Sequence, residues 1–133
     1  MQRILSLIIL IIGLIDIAIG LSFLVNPVWA GGEFGVSGGR EGLSAIRGDF
    51  TAFFVVGGGA LVWGAWRMRG DVLLVALALF GVAFIGRLVN VFDVGTYEGW
   101  WIPMIVEAAH VVLCLAGRQY FERPDRNPLL GQI

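Results

Sequence analysis

Four apolar runs constrain this chain more than any other feature. They extend from about Ile4 to Val25, Asp49 to Trp66, Val72 to Phe92 and Trp101 to Ala116. A helix rises 1.5 Å per residue, so a bilayer is crossed by roughly 20 apolar residues. With 58% hydrophobic and 14% charged residues in 133, a soluble core of this size cannot hide the apolar surface. The expected fold is all-α: one domain, residues 1–133, built as a four-transmembrane-helix bundle.

Asn26-Pro27 ends the first run, and Arg67-Met68-Arg69-Gly70 ends the second. Segment 26–48 carries Gly31-Gly32, Gly35, Gly38-Gly39 and Gly42. It reads as an outer loop with a short surface helix from Arg40 to Ile46. Segment 117–133 is polar and holds Pro124 and Pro128, so it reads as an extended tail beyond the membrane. A competing reading makes the N-terminus a cleaved signal peptide, with the basic start Met1-Gln2-Arg3 and a small-residue site at Val28-Trp29-Ala30. The apolar run is longer than a signal core, which favours a retained helix. No internal repeat is visible.

Arginine placement orients the bundle. If the helices alternate, Arg3, Arg67, Arg69, Arg118, Arg123 and Arg126 fall on one side. Arg40 and Arg47 fall on the other, offset by Glu33, Glu41, Asp49, Asp93 and Glu98. Both termini are therefore expected in the cytoplasm. Aromatic belts agree: Trp29, Tyr97, Trp100 and Trp101 at the outer ends, Trp63, Trp66 and Tyr120 at the inner ends.

Several chemistries are excluded. All nine basic residues are arginine, so no lysine can form a Schiff base. Cys114 is the single cysteine and His110 the single histidine, which rules out an internal disulfide and a multi-histidine metal site. The glycine-rich segment lacks the Lys-Ser/Thr of a phosphate-binding loop. A net charge of −1 gives no basis for nucleic-acid binding.

Charged side chains near a helix centre in a membrane cost roughly 2.5–3.5 kcal/mol each and need partners. Arg87 lies six residues inside Asp93, and Glu107 six inside Trp101; both are therefore about 9 Å deep. Equal depth makes them the natural ion pair. Asp16 and His110 both come out at about 14 Å and form a second candidate pair or a single protonation site. Arg47, Asp49, Asn90 and Asp93 lie nearer the outer surface. Faces agree with depths. Pro103, Glu107, His110, Cys114 and Arg118 form one stripe of the fourth helix; Ala83, Arg87, Asn90 and Val94 form one on the third. Gly13, Asp16 and Gly20 share a face of the first, and Ala60 with Gly64 offers a small contact surface on the second.

Such groups can simply fix helix register. The functional reading is a polar pocket open to the outer face and closed below by apolar packing, suited to a lipid or quinone. Glu107-x-x-His110 has the spacing of a di-iron bundle motif, but the second motif and the extra glutamates are missing. His110 as a lone axial ligand to haem or chlorophyll is chemically feasible. Cys114 reads as inert packing.

Ile46-Arg47-Gly48-Asp49-Phe50, then Gly86-Arg87-Leu88-Val89-Asn90 with Asp93, then Glu107, resemble in order and spacing the domain-of-unknown-function 4345 family of short bacterial membrane proteins. The resemblance covers nearly the whole chain. It implies a multi-pass four-helix protein of the bacterial cytoplasmic (inner) membrane with an architecture similar to DoxX-like proteins. It also implies recurring polar positions at Arg47, Asp49, Arg87, Asp93 and Glu107, and no activity. Asp16 and His110 match no part of that pattern.

Three functional expectations follow. The first is a non-enzymatic bundle that binds a lipid-like molecule or partner helices, including copies of itself, through the outer polar cluster. The second is an accessory subunit of a respiratory or photosynthetic membrane complex. The third is a membrane enzyme using Asp49, Asp93 or Glu107 as acid or base.

Overall fold

The computed structural model describes residues 1–121 and is entirely helical apart from connecting turns. Arg123, Pro124, Arg126 and Pro128 lie outside the described residues. Helix α1 spans Gln2–Val25, α2 Pro27–Glu33, α3 Arg40–Ala45, α4 Thr51–Trp66, α5 Leu73–Asp93 and α6 Trp101–Phe121. A π-helical turn, Ile46–Phe50, joins α3 to α4 without a break. Four helical stretches are long and apolar enough to cross a membrane: Gln2–Val25, Arg40–Trp66, Leu73–Asp93 and Trp101–Phe121.

These elements start and stop for local reasons. Asn26 closes α1, and its side-chain oxygen accepts from the Trp29 amide at 3.2 Å. Pro27 follows at the first position of α2, where its missing N–H costs no hydrogen bond. Between α4 and α5 the chain turns through Met68 at φ 54°, and the Arg69 amide donates back to Gly64 at 2.8 Å. The α5–α6 loop turns through Gly95 and Gly99, both at positive φ.

Three boundaries differ from the sequence expectation. Segment 26–48 is largely helical, not a loop, because Asn26-Pro27 starts a helix as well as stopping one. The second span begins at Arg40, not Asp49: the π turn carries the helix through Gly48. The fourth helix runs past Ala116 to Phe121, because Gly117 is buried against the side chains of Leu73 and Ile9. What read as the start of the tail is a helix.

The spans form a ring in which α1 packs on α4, α4 on α5, α5 on α6 and α6 on α1. Gln2 Nε2 donates to the Tyr120 carbonyl at 2.7 Å, so the start of α1 and the end of α6 share one end of the bundle with the α4–α5 turn. This is called the proximal end; α2, α3 and the α5–α6 loop mark the distal end. Ile9, Leu61, Leu73, Ala76, Phe80 and Cys114 fill the proximal half. A smaller distal core gathers around the buried ring of Phe23, which lies 5.0 Å from Phe50, 5.1 Å from Phe34 and 5.8 Å from Phe54. Ile4, Leu7, Ile11, Leu14 and Leu21 of α1 point outward, the surface a lipid-facing helix presents.

Candidate functional site

Two polar pairs cross the bundle. Arg87 on α5 donates from Nε to Glu107 Oε1 on α6 at 2.7 Å. The pair is lopsided: the Arg87 side chain is 39% exposed and that of Glu107 only 7%. Glu107 Oε2 is buried without a hydrogen-bond partner, and among the described residues the Nη groups of Arg87 make no hydrogen bond. The join is thus a single charge-assisted bond rather than the bidentate fork these groups can form.

The second pair is deeper. His110 Nδ1 donates to the Val106 carbonyl at 2.7 Å, one turn back on α6. His110 Nε2 faces Asp16 Oδ2 of α1 at 3.1 Å. Both groups are buried, and the Phe80 ring stacks on the imidazole with centroids 3.9 Å apart. With both ring nitrogens engaged, His110 has none free for a metal or haem iron in this arrangement. Among the described residues, no group of three or more His, Cys, Asp and Glu side chains is placed to hold a metal ion. Cys114 lies one turn further on the same buried stripe.

The remaining sequence candidates separate. Arg47 is exposed on the π turn and donates from Nε to the Leu24 carbonyl at 3.1 Å, which places a cation at the C-terminal end of α1. Asp49 and Asp93 are exposed and make no hydrogen bond or ion pair among the described residues. Asn90 lies one turn beyond Arg87 and lines a cavity with it.

That cavity, about 420 Å³, opens between the distal halves of α5 and α6 and the loop joining them. Its polar lining is Arg87, Asn90, Tyr97 and Trp100; Ala83, Val91 and Met104 supply apolar wall. Sequence reasoning placed Tyr97 and Trp100 in an interfacial belt and missed their approach to Arg87, which depends on the two glycine turns of the loop. Phe80 was missed although the signal was there. It sits two turns below Arg87 on the stripe that continues through Ala83 and Asn90. Asp71 was missed too: it pairs with Arg69 in the α4–α5 turn, with Arg69 Nε donating to Asp71 Oδ1 at 3.0 Å.

The site therefore has two levels, a half-open cavity at Arg87 and a closed Asp16–His110 contact beneath it. Neither a family model, nor a curated protein, nor a solved structure matches the chain.

Proposed function

We propose that this is a non-enzymatic membrane bundle that binds a lipid-like small molecule in the distal α5–α6 cavity. It would lie in a bacterial cytoplasmic membrane with both termini in the cytoplasm, and quinones belong to the same size class of occupant. The observation that carries the reading is Arg87. It stands at the wall of a cavity with most of its guanidinium donors unused, while its charge is balanced from behind by Glu107. A volume of about 420 Å³ falls within the roughly 300–1,000 Å³ typical of small-molecule sites. The mixture of one cation, neutral donors and apolar wall suits a molecule with a polar head and an apolar body. The arginine distribution supports the orientation, which puts the cavity mouth on the outer side. Of the cavity lining, Gly86, Arg87 and Asn90 belong to the stretches that resemble the domain-of-unknown-function 4345 family, as does Glu107 behind Arg87.

An acid–base role has less support. Asp49 and Asp93 are exposed and make no polar contact with each other or with Glu107, and Glu107 is tied to Arg87.

Native mass spectrometry of the protein released from gently solubilised membranes tests the reading. A bound mass of lipid size, present in wild type and absent from Arg87→Ala, is the expected result. Release as a bare chain, or only with heavier protein partners, would overturn it and favour the accessory-subunit reading.

A further inference from the structure

The polar lining of the α5–α6 cavity is biased toward hydrogen-bond donors. Arg87 and Trp100 can only donate, whereas the Asn90 amide and the Tyr97 hydroxyl can donate or accept. No carboxylate lines the cavity among the described residues. Glu107 is behind Arg87 and occupies only its Nε, which leaves the edge of the guanidinium formed by its two Nη groups. That edge presents parallel N–H bonds at the spacing of two oxygens on one carbon or phosphorus. Arg87 is also about 9 Å from the end of α5, within reach of a head group entering from the membrane surface.

We infer that the cavity selects an amphiphile whose head is an oxyanion, either a carboxylate or a phosphate. The Nη edge of Arg87 grips two of its oxygens, and Asn90, Tyr97 and Trp100 complete the donor set. The inference rests on the binding function proposed above and narrows it to one class of head group. A neutral alcohol would offer one acceptor oxygen to a fork built for two. A cationic head would face Arg87 directly. Asp93 and Glu98 are exposed near the same end and do not line the cavity, so solvent and salt screen their repulsion.

The test uses the intact protein in discs of zwitterionic lipid, titrated calorimetrically against empty discs. The probes share one chain: dodecanoate, dodecyl phosphate, dodecanol and dodecyltrimethylammonium, with inorganic phosphate as the chainless control. Dodecanoate and dodecyl phosphate are expected to bind about tenfold or more tighter than dodecanol, the cation not at all. Arg87→Gln alone strands Glu107 in a buried site, so the double variant Arg87→Gln/Glu107→Gln, a neutral pair of similar size, guards against loss of fold. It should lose the preference for anions, binding dodecanoate and dodecyl phosphate no tighter than dodecanol; a preference that survives in the folded double variant would overturn the role given to Arg87. Equal binding of all chained probes would overturn the oxyanion assignment and leave the amphiphile site standing. Binding of inorganic phosphate as tight as that of dodecyl phosphate would keep the anion chemistry and overturn the lipid-like occupant. No binding by any probe would overturn both.

Discussion

His110 Nε2 lies 3.1 Å from Asp16 Oδ2, joining α6 to α1 across 94 residues of sequence. The other ring nitrogen fixes what this contact means. A carbonyl only accepts, so the bond to Val106 requires a proton on Nδ1. Nε2 then either accepts from a protonated Asp16 or, as imidazolium, donates to the carboxylate. Both arrangements hold the same number of protons and leave the pair with no net charge, the cheaper state for buried groups. One proton is shared along the Asp16–His110 axis.

Nitrogen NMR of the single histidine in bilayers should therefore show a protonated Nδ1 near neutral pH. Asp16→Asn keeps a donor for Nε2 and should be nearly neutral in stability. Asp16→Ala leaves Nε2 buried and unpaired and should cost about 1–3 kcal/mol. Equal unfolding temperatures for the two variants would remove the contact from the stabilising set.

Removal of either partner from the Arg87–Glu107 pair should be unequal in effect. Arg87→Ala strands a carboxyl group that is 7% exposed, whereas Glu107→Ala leaves an arginine that is 39% exposed and can be hydrated. Breaking a buried pair from one side costs about 3–5 kcal/mol. Arg87→Ala should approach the lower end of that range, and Glu107→Ala should fall below it at about 1 kcal/mol. Unfolding of the two single variants and the double variant in mild detergent measures the difference. Equal costs would mean that burial does not set the asymmetry.

Both pairs were legible in the sequence because a long apolar helix has few unknowns. Once Asn26, Asp93 and Trp101 mark the helix ends, the rise per residue gives depth and the helical period gives the face. The distal segment was opaque for the converse reason. Its glycines hide helical periodicity, and the π turn at Ile46–Phe50 breaks the period where α3 runs into α4. The cavity was half legible. Arg87 and Asn90 share a helix face, but Tyr97 and Trp100 reach it through loop conformation, which no period encodes.

In the α4–α5 turn, the hydrogen bond from Arg69 holds the Asp71 carboxyl below the usual carboxylate range. A folded-state value below the unfolded one contributes stability above the unfolded pKa, lost as pH falls through the folded one. The pair is fully exposed, so screening should leave little to measure. Asp71→Asn is expected to unfold as wild type does at neutral pH, with any difference confined to that acidic window. A clear loss of stability at neutral pH would show that this turn contributes more than an exposed pair can.

The contact of α1 with α4 positions Asp16, and two glycines make it possible. A Cβ on Gly58 would lie 2.6 Å from the Gly13 carbonyl oxygen and 2.9 Å from Asp16 Cβ. A Cβ on Gly13 would lie 2.7 Å from the Gly58 carbonyl oxygen. These obstacles include backbone on both sides, which cannot rotate away, so the helices must part. Gly58→Ala should cost about 1–3 kcal/mol, as overpacking does, and should pull Asp16 away from His110. Gly59 is the internal control: its Cβ would meet nothing within 4 Å, so Gly59→Ala should be neutral or slightly stabilising through helix propensity. The histidine nitrogen signals separate packing from pairing. In Gly58→Ala the Nε2 signal should shift while Nδ1 stays protonated, because the Val106 carbonyl moves with the same helix. An unchanged Nε2 signal would mean that the α1–α4 crossing does not set the Asp16–His110 distance.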